Sequence, residues 1–187
     1  MKKLFLSLVT LLSLAVFAQE NTIVNDANAQ KRTLNGSFTG ISVSSGVDLY
    51  LTQGNEESVA VSSSDEKYME RFKTEVENGV LKIYFDTKGI NWASNDKRKL
   101  KAYVSFKTLE KLHASAGADV KAQGGFTVDG LDMKFTSGAS FNGKVTAKEL
   151  SVDQNSGSAI TITGSAAKLK IDVSSGAIFK SYDLAVE

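Results

Sequence analysis

Apolar and polar residues alternate over most of the chain after residue 32, the pattern of strands that bury one face. In the second half the alternation recurs in four segments, each ending in a turn of small residues. The glycines of these turns are 21, 19 and 19 residues apart, at Gly117, Gly138, Gly157 and Gly176. Leu131, Leu150 and Leu169 keep the 19-residue step. A period of about 20 residues built from short strands predicts a parallel β-helix, a solenoid in which each repeat forms one coil.

The four glycines are predicted to form tight corners, because glycine adopts backbone angles that other residues avoid. An apolar residue follows each glycine at the third position: Val120, Phe141, Ile160 and Phe179. We therefore expect two or three short strands in each coil of 19–21 residues.

The first half of the chain predicts strands interrupted once. Ser64 is suited to cap a helix, and Tyr68, Met69 and Phe72 would then share one face, so a short helix is expected over residues 64–74. The Asn-Gly pair at residues 78–79 predicts a two-residue hairpin turn.

The N-terminus has the features of a signal peptide. Lys2 and Lys3 precede an apolar stretch over residues 4–17, and Ala18 ends a small-x-small cleavage site. The stretch is short for a membrane span, which needs about 20 apolar residues, although an anchoring helix is the alternative. We expect residues 1–18 to be a leader, 19–31 a flexible lead-in, and 32–187 one domain that is exported to the periplasm, the outer-membrane surface or the medium.

Composition narrows the function classes. Without the leader the chain has 20 basic and 21 acidic side chains, so it lacks the positive footprint of a nucleic-acid-binding protein. It contains no cysteine, and an exported domain without disulfides must be stabilised by its core and its hydrogen-bond ladders.

The repeat would place its next leucine at position 188, one residue beyond Glu187. Terminal coils normally carry an atypical polar cap, and this one has none. We therefore expect that the domain is truncated at its C-terminus, or that a partner or further coils cover an exposed edge there.

Three motifs resemble the head-type (GIN) domain named for putative autotransporter adhesins. They are residues 36–54 (Gly-Ser-Phe-Thr-Gly-Ile-Ser-Val-Ser-Ser-Gly-Val-Asp-Leu-Tyr-Leu-Thr-Gln-Gly), residues 76–83 (Val-Glu-Asn-Gly-Val-Leu-Lys-Ile) and the Ser-Gly-Ala repeats from Leu109 onward. The resemblance implies a right-handed parallel β-helix in exported proteins, found mostly in Bacteroidetes. It implies no catalytic or binding residues, because the family has no agreed set and its adhesin label is itself a conjecture.

Candidate chemistry for catalysis or metal binding is sparse. His113, the only histidine, occupies a repeat position shared with Lys134, Asp153 and Asp172, which predicts a solvated strand residue. Asp153 and Asp172 are expected side by side on adjacent coils, where they are most simply a solvent-facing pair. Weaker alternatives are a calcium site or the carboxylate pair of a glycosidase.

Aromatic and basic residues of the first half are the candidates for binding. Trp92 lies in a polar loop beside the Lys97-Arg98 pair, and Tyr84 and Tyr103 fall on the polar phase of their strands. Exposed aromatics stack on sugar rings or anchor protein partners. The competing interpretations are a loop tryptophan that covers the end of the core and a solvated charge run.

The leading hypothesis is an exported, non-enzymatic domain without a cofactor that acts in adhesion or as a cell-surface interaction scaffold, with an extracellular glycan or protein surface as its partner. The alternative is a polysaccharide-binding or polysaccharide-processing β-helix module, which rests on fold analogy. A third possibility is a structural role without a ligand.

Overall fold

The computed structural model describes residues 26–89 and 98–186. Within these ranges the chain forms 14 strands and one turn of 3-10 helix at Glu66–Tyr68. The strands are β1 (Gln30–Arg32), β2 (Gly40–Val43), β3 (Asp48–Gln53), β4 (Ser58–Ser63), β5 (Phe72–Glu77), β6 (Val80–Phe85), β7 (Leu100–Phe106), β8 (Lys111–Ala114), β9 (Asp119–Ala122), β10 (Phe126–Phe135), β11 (Ser140–Gln154), β12 (Ala159–Val173), β13 (Ile178–Lys180) and β14 (Leu184–Val186).

All 14 strands belong to one mixed sheet, barrel-shaped and nearly closed around the core. Its main path runs β1-β4-β7-β3-β9-β11-β10-β8-β2-β6-β5, and β12 adds to β11 and itself pairs with β13 and β14. The pairs β1/β4, β4/β7 and β5/β6 are antiparallel, and the other pairs are parallel.

The predicted fold class, a right-handed parallel β-helix over residues 32–187, is wrong. Antiparallel pairs make the sheet mixed, and its strands nearly close a barrel instead of repeating one coil along the chain. The error has a physical origin. Alternation with a period of two identifies a strand and its buried face, but it is the same whether the neighbouring strand runs parallel or antiparallel.

The predicted helix over residues 64–74 is also wrong. Asp65 accepts a hydrogen bond from the Lys67 N–H and caps a single 3-10 turn that ends at Tyr68. Phe72 is 1% exposed and already begins β5. Its place in the core and the β5/β6 hairpin outweigh the weak local preference for helix.

The 19-residue step is present as strand register. Leu131 lies opposite Leu150 in the β10/β11 pair, and Leu150 lies opposite Leu169 in the β11/β12 pair. The turns repeat with the strands, since the Gly138 N–H donates to the Ser156 carbonyl at 3.0 Å and the Gly157 N–H donates to the Ser175 carbonyl at 3.1 Å. The period in the sequence therefore sets which residues meet across β10, β11 and β12.

The two ends of the described core differ. The antiparallel pairs all lie among β1, β4, β5, β6 and β7, whereas residues 169–173 of β12 pair with β11 alone. Among the described residues, the exposed large apolar side chains all lie between residues 171 and 186: Ile171, Val173, Ile178, Tyr182 and Val186. Ile171 is 41% exposed, whereas Val152, its register partner on β11, is 1% exposed.

Candidate binding site

An open depression of about 530 Å³ lies on the outer side of β11 and β12, next to the start of β14. Hydroxyl groups, one cation and one anion line it, from Lys144, Thr146, Thr163, Gly164, Ser165 and Asp183. Its volume is within the range of about 300–1,000 Å³ that is usual for small-molecule sites.

Strand alternation places these side chains on the outer face. Val145 and Ile162 are fully buried, so the polar residues beside them in β11 and β12 face outward. The register sets Lys144 opposite Thr163 and Thr146 opposite Ser165. The polar lining therefore follows directly from the β11/β12 pairing.

Gly164 belongs to the lining of the depression, and its backbone conformation is specific to glycine. Its φ is +115°, and a Cβ at this position would lie 2.0 Å from the Val145 carbonyl oxygen, so only glycine fits. The Gly164 N–H donates to the Asp183 carbonyl at 3.0 Å. This bond fixes the chain around Asp183 against β12.

The charges in the depression differ from those around it. Across neighbouring strands, lysines form ion pairs with carboxylates: Lys134 with Asp153 at 3.5 Å, Lys148 with Asp129 at 2.6 Å and Lys168 with Glu149 at 2.7 Å. Lys144 and Asp183 form no ion pair with any described residue. Both charges are thus available to a ligand.

Tyr182 adjoins the depression in sequence. It precedes Asp183 in a turn closed by the Leu184 N–H, which donates to the Ser181 carbonyl at 3.2 Å. Tyr182 is 93% exposed, far more than is usual for a residue that gains stability from burial. An aromatic ring at this position can stack on a ligand.

Three of the binding residues predicted from the sequence, Arg98, Tyr84 and Tyr103, lie in the described part of the chain, and none of the three lines the depression. Trp92 and Lys97 lie outside the described residues. The Arg98 guanidinium lies 4.6 Å from the centroid of the Phe85 ring, at the end of β6. The Tyr84 hydroxyl donates to a Glu75 carboxylate oxygen at 2.7 Å, and this bond raises the pKa of Tyr84 to about 12.

Tyr103 is engaged in the sheet. Its ring stacks on Tyr50 with centroids 5.1 Å apart, and the Lys121 ammonium lies 5.6 Å from the Tyr50 centroid. The Tyr103 hydroxyl donates to Asp26 at 2.9 Å, and burial together with this carboxylate raises the pKa of Tyr103 to about 12. A hydrogen bond from Ser62 is the main cause of the lowered pKa of Asp26. With Tyr103 9% exposed, the stack offers little open ring surface.

The repeat position of His113 forms one row across β8, β10, β11 and β12. The register sets His113 opposite Lys134, Lys134 opposite Asp153, and Asp153 opposite Asp172. Burial lowers the pKa of His113, which disfavours its charged form. Among the described residues, no group of three or more His, Asp or Glu side chains is placed to hold a metal ion.

The corner glycines occupy the left-handed region. Gly117, Gly138, Gly157 and Gly176 have φ values of 71–75°, each after a residue whose φ is also positive. They shape the turns and do not line the depression.

Sequence reasoning missed Lys144, Thr163, Asp183 and Tyr182 as site residues. A signal was present, since Thr161, Thr163 and Ser165 put hydroxyl groups on one phase of a strand that contains a glycine. The approach of Asp183 to that strand depends on the turn after β13, which no period in the sequence predicts.

The fold and the surface define the class of this protein, which is an all-β domain with a polar depression on its outer face. The chain belongs to the family described as "putative auto-transporter adhesin, head GIN domain", whose model matches residues 37–187. This match confirms the resemblance of the three motifs. No curated protein matches the sequence.

Solved structures resemble the chain as well. A putative lipid binding protein from Parabacteroides distasonis is 20% identical, with a TM-score of 0.62 over 86% of this chain and 76% of that one. A putative adhesin from the same species is 19% identical, with a TM-score of 0.61 over 84% and 74%. A putative adhesin from Bacteroides fragilis is 14% identical, with a TM-score of 0.58 over 84% and 95%. These TM-scores show a shared fold, and identities of this size show nothing beyond it.

The family description suggests a cell-surface or exported location, and neither it nor these names denotes an enzyme. In the part of the chain that the structure describes, no helix is both long and apolar enough to cross a membrane.

Proposed function

We propose that this protein is an exported, non-enzymatic interaction domain of the adhesin type, which binds a partner outside the cytoplasm. The observation that carries the proposal is the outer face of β10, β11 and β12. Its strands reach 15 residues, and an extended ladder of parallel bonds holds their side chains at fixed spacing. Such a face suits recognition of an extended partner, because little conformational freedom is lost on binding.

The charge pattern of this face supports a non-enzymatic role. Acid–base hydrolysis of a glycosidic bond needs two carboxyl groups in different protonation states on either side of the bond. Asp153, Asp129 and Glu149 each have a lysine partner. The hydrogen bond from the Lys168 ammonium lowers the pKa of Glu149, and this disfavours use of that carboxyl as a general acid.

A second candidate function is polysaccharide binding. The hydroxyl-lined depression and the exposed ring of Tyr182 favour it. This candidate differs from the first in the chemistry of the partner, not in the location of the domain.

Export is part of the proposal and is tested by expression of the full chain with its own leader. We expect recovery of a protein that begins at Gln19 in the periplasmic, outer-membrane or medium fraction. A protein with an intact N-terminus in the cytoplasm would contradict export.

Partner binding is tested with an array of glycans and extracellular-matrix proteins, probed with the exported protein beside its Trp92→Ala and Tyr182→Ala variants. The proposal expects reproducible binding to some members of the array. Dependence on Trp92 would locate the contact in the loop around that residue, whereas dependence on Tyr182 would locate it beside the depression. An array without any signal from a folded sample would argue against an interaction domain.

A further inference from the structure

We propose that the depression lined by Lys144, Thr146, Thr163, Ser165 and Asp183 is a carbohydrate-binding site that takes an uncharged pyranose ring. The proposal rests on the proposed function, and it names the chemistry of the partner and the residues that recognise it. It uses none of the binding candidates predicted from the sequence.

The two charges of the depression select a ligand without net charge. Lys144 and Asp183 are both exposed, and each is free of ion pairs with the described residues, so the depression carries one positive and one negative group. An anion such as phosphate or sialic acid would meet Asp183, and an ammonium group would meet Lys144. A ligand without net charge avoids both repulsions.

The polar groups select a ligand that both donates and accepts hydrogen bonds. Asp183 can only accept, Lys144 can only donate, and the hydroxyls of Thr146, Thr163 and Ser165 can do either. A sugar carries several hydroxyl groups on one small ring, each able to do both. Adjacent sugar hydroxyls can donate to the two oxygens of one carboxylate, and we assign this contact to Asp183.

A peptide fits the depression less well. Extended peptides commonly bind by adding a strand to an open sheet edge. At the depression, residues 164–166 of β12 are already paired with β11 on one side and with β14 on the other. The β12 backbone at the depression therefore has no free edge, and its contribution to recognition comes from side chains.

Tyr182 supplies an apolar contact to the ligand, which the polar groups of the depression cannot provide. Its ring is 93% exposed and directly precedes Asp183 in the turn. The carbon face of a pyranose stacks on such a ring, and an aromatic side chain loses little conformational entropy on binding. Tyr182 would therefore stack on the sugar ring whose hydroxyls donate to Asp183, or on the next ring of the same polysaccharide.

Rigidity and openness together set the expected affinity. Gly164 and its bond to the Asp183 carbonyl fix the lining in advance, which lowers the cost of binding. The depression is open to solvent, so one ring buries little surface, and we expect a Kd of about 1 mM for a monosaccharide. Several copies on one cell surface would raise the effective affinity for a polymer.

The test is saturation-transfer difference NMR on the exported full chain with methyl glycosides of glucose, galactose, mannose and N-acetylglucosamine. N-acetylneuraminic acid is the anionic comparison and glucosamine the cationic one. We expect at least one neutral glycoside to bind, with the charged sugars weaker. Stronger binding of either charged sugar, or no binding of any neutral one, would overturn the proposal.

Variants locate the site. Thr163→Val and Asp183→Asn each remove one hydrogen-bonding function at almost constant shape, and each should weaken binding about tenfold. Thr161→Val is the matched control on the same face of β12, and Asp172→Asn is the control for an exposed aspartate outside the depression. Equal affinity in the site and control variants would place the sugar elsewhere and overturn the assignment. Circular dichroism must first show that all four variants are folded.

Tyr182 has its own pair of variants. Tyr182→Phe keeps the stacking surface and should bind as the parent does, whereas Tyr182→Ala should weaken binding several-fold. Equal binding by Tyr182→Ala would remove Tyr182 from the site.

The two proposals fail differently. If a matrix protein bound to the parent and to both Thr163→Val and Asp183→Asn, while no neutral sugar bound, the carbohydrate site would be rejected. The proposal of an interaction domain would stand. An array without any signal would reject the interaction domain itself.

Discussion

The Val145 carbonyl oxygen lies 2.0 Å from the position that a Cβ on Gly164 would occupy. The two residues are register partners in the β11/β12 pair, so their backbones approach closely at the depression. The neighbouring atom belongs to the backbone of a paired strand and cannot move aside as a flexible side chain would. Gly164 is thus needed both for the lining of the candidate site and for the β11/β12 pairing.

Gly164→Ala should therefore be strongly destabilising. The positive φ alone costs about 1–3 kcal/mol for a residue with a Cβ, and displacement of the Val145 carbonyl adds to this. We expect urea denaturation to show a loss of more than about 3 kcal/mol in the free energy of unfolding.

The matched control for that variant is Gly157→Ala. Gly157 has a φ of +71°, but no neighbouring atom lies within 4 Å of its Cβ position. Its substitution should cost only the left-handed backbone penalty of about 1–2 kcal/mol. Equal losses at the two positions would mean that the close approach to Val145 contributes nothing.

Burial predicts that alanine substitution destabilises the fold more at one of two equivalent repeat positions than at the other. Val152 is 1% exposed, whereas its partner Ile171 is 41% exposed on the uncovered strand edge. Val152→Ala should lower the free energy of unfolding by about 1–3 kcal/mol, through lost burial and a cavity. Ile171→Ala removes a larger side chain but should cost less than about 1 kcal/mol.

Thermal or urea denaturation of the two alanine variants gives this comparison directly. A loss at Ile171 as large as at Val152 would mean that the edge of β12 is buried in solution, against a second copy or another part of the chain.

Tyr103 and Tyr84 predict sensitivity to alkaline pH. The pKa of each is raised to about 12, whereas a tyrosine in an unfolded chain titrates near 10. A raised pKa means that the stability from these phenols is fully present below about pH 10 and is lost as the pH rises through about 12. Ultraviolet titration should show that the phenolates of Tyr84 and Tyr103 form only as the pH approaches about 12.

Tyr103→Phe isolates one of the two groups. It removes the hydrogen bond to Asp26, so at neutral pH the free energy of unfolding should fall by about 1–2 kcal/mol. The decline of stability with alkaline pH should become shallower. Tyr182→Phe, at a position that is 93% exposed, is the control and should leave the free energy of unfolding at neutral pH unchanged. An unchanged alkaline profile in Tyr103→Phe would contradict the assignment.

The strands and part of their register could be predicted from the periodicity of the sequence. The alternation of Leu49 and Leu51 with polar residues specifies a strand, and the 19-residue step specifies that Leu150 lies beside Leu169. Both follow from local geometry, because side chains alternate along a strand and equal steps bring equal positions together.

The sequence could not predict which distant strands pair, or in which direction. β4 and β7 are antiparallel neighbours, although β5, β6 and a loop separate them along the chain. Their pairing depends on the shape of the whole core, and alternation carries no information on it. The candidate depression was missed for the same reason, since Asp183 reaches β12 through a tertiary contact.

Asp172 predicts a stabilising substitution. The register sets it directly opposite Asp153, and like charges on directly opposed positions destabilise a sheet by about 0.2–1 kcal/mol. Lys134 lies 3.5 Å from Asp153 and offsets only part of this repulsion, because it is on the far side of Asp153 from Asp172.

Asp172→Asn should therefore raise the free energy of unfolding by about 0.5 kcal/mol at low ionic strength. The gain should shrink in 1 M salt, where the Debye length is about 3 Å. Asp183→Asn changes the net charge equally but has no carboxylate in the opposite register position, so it separates the pairwise effect from that of total charge. If Ca²⁺ raised the melting temperature of the parent but not of Asp172→Asn, the two carboxylates would instead act as part of a metal site, and the repulsion argument would fail.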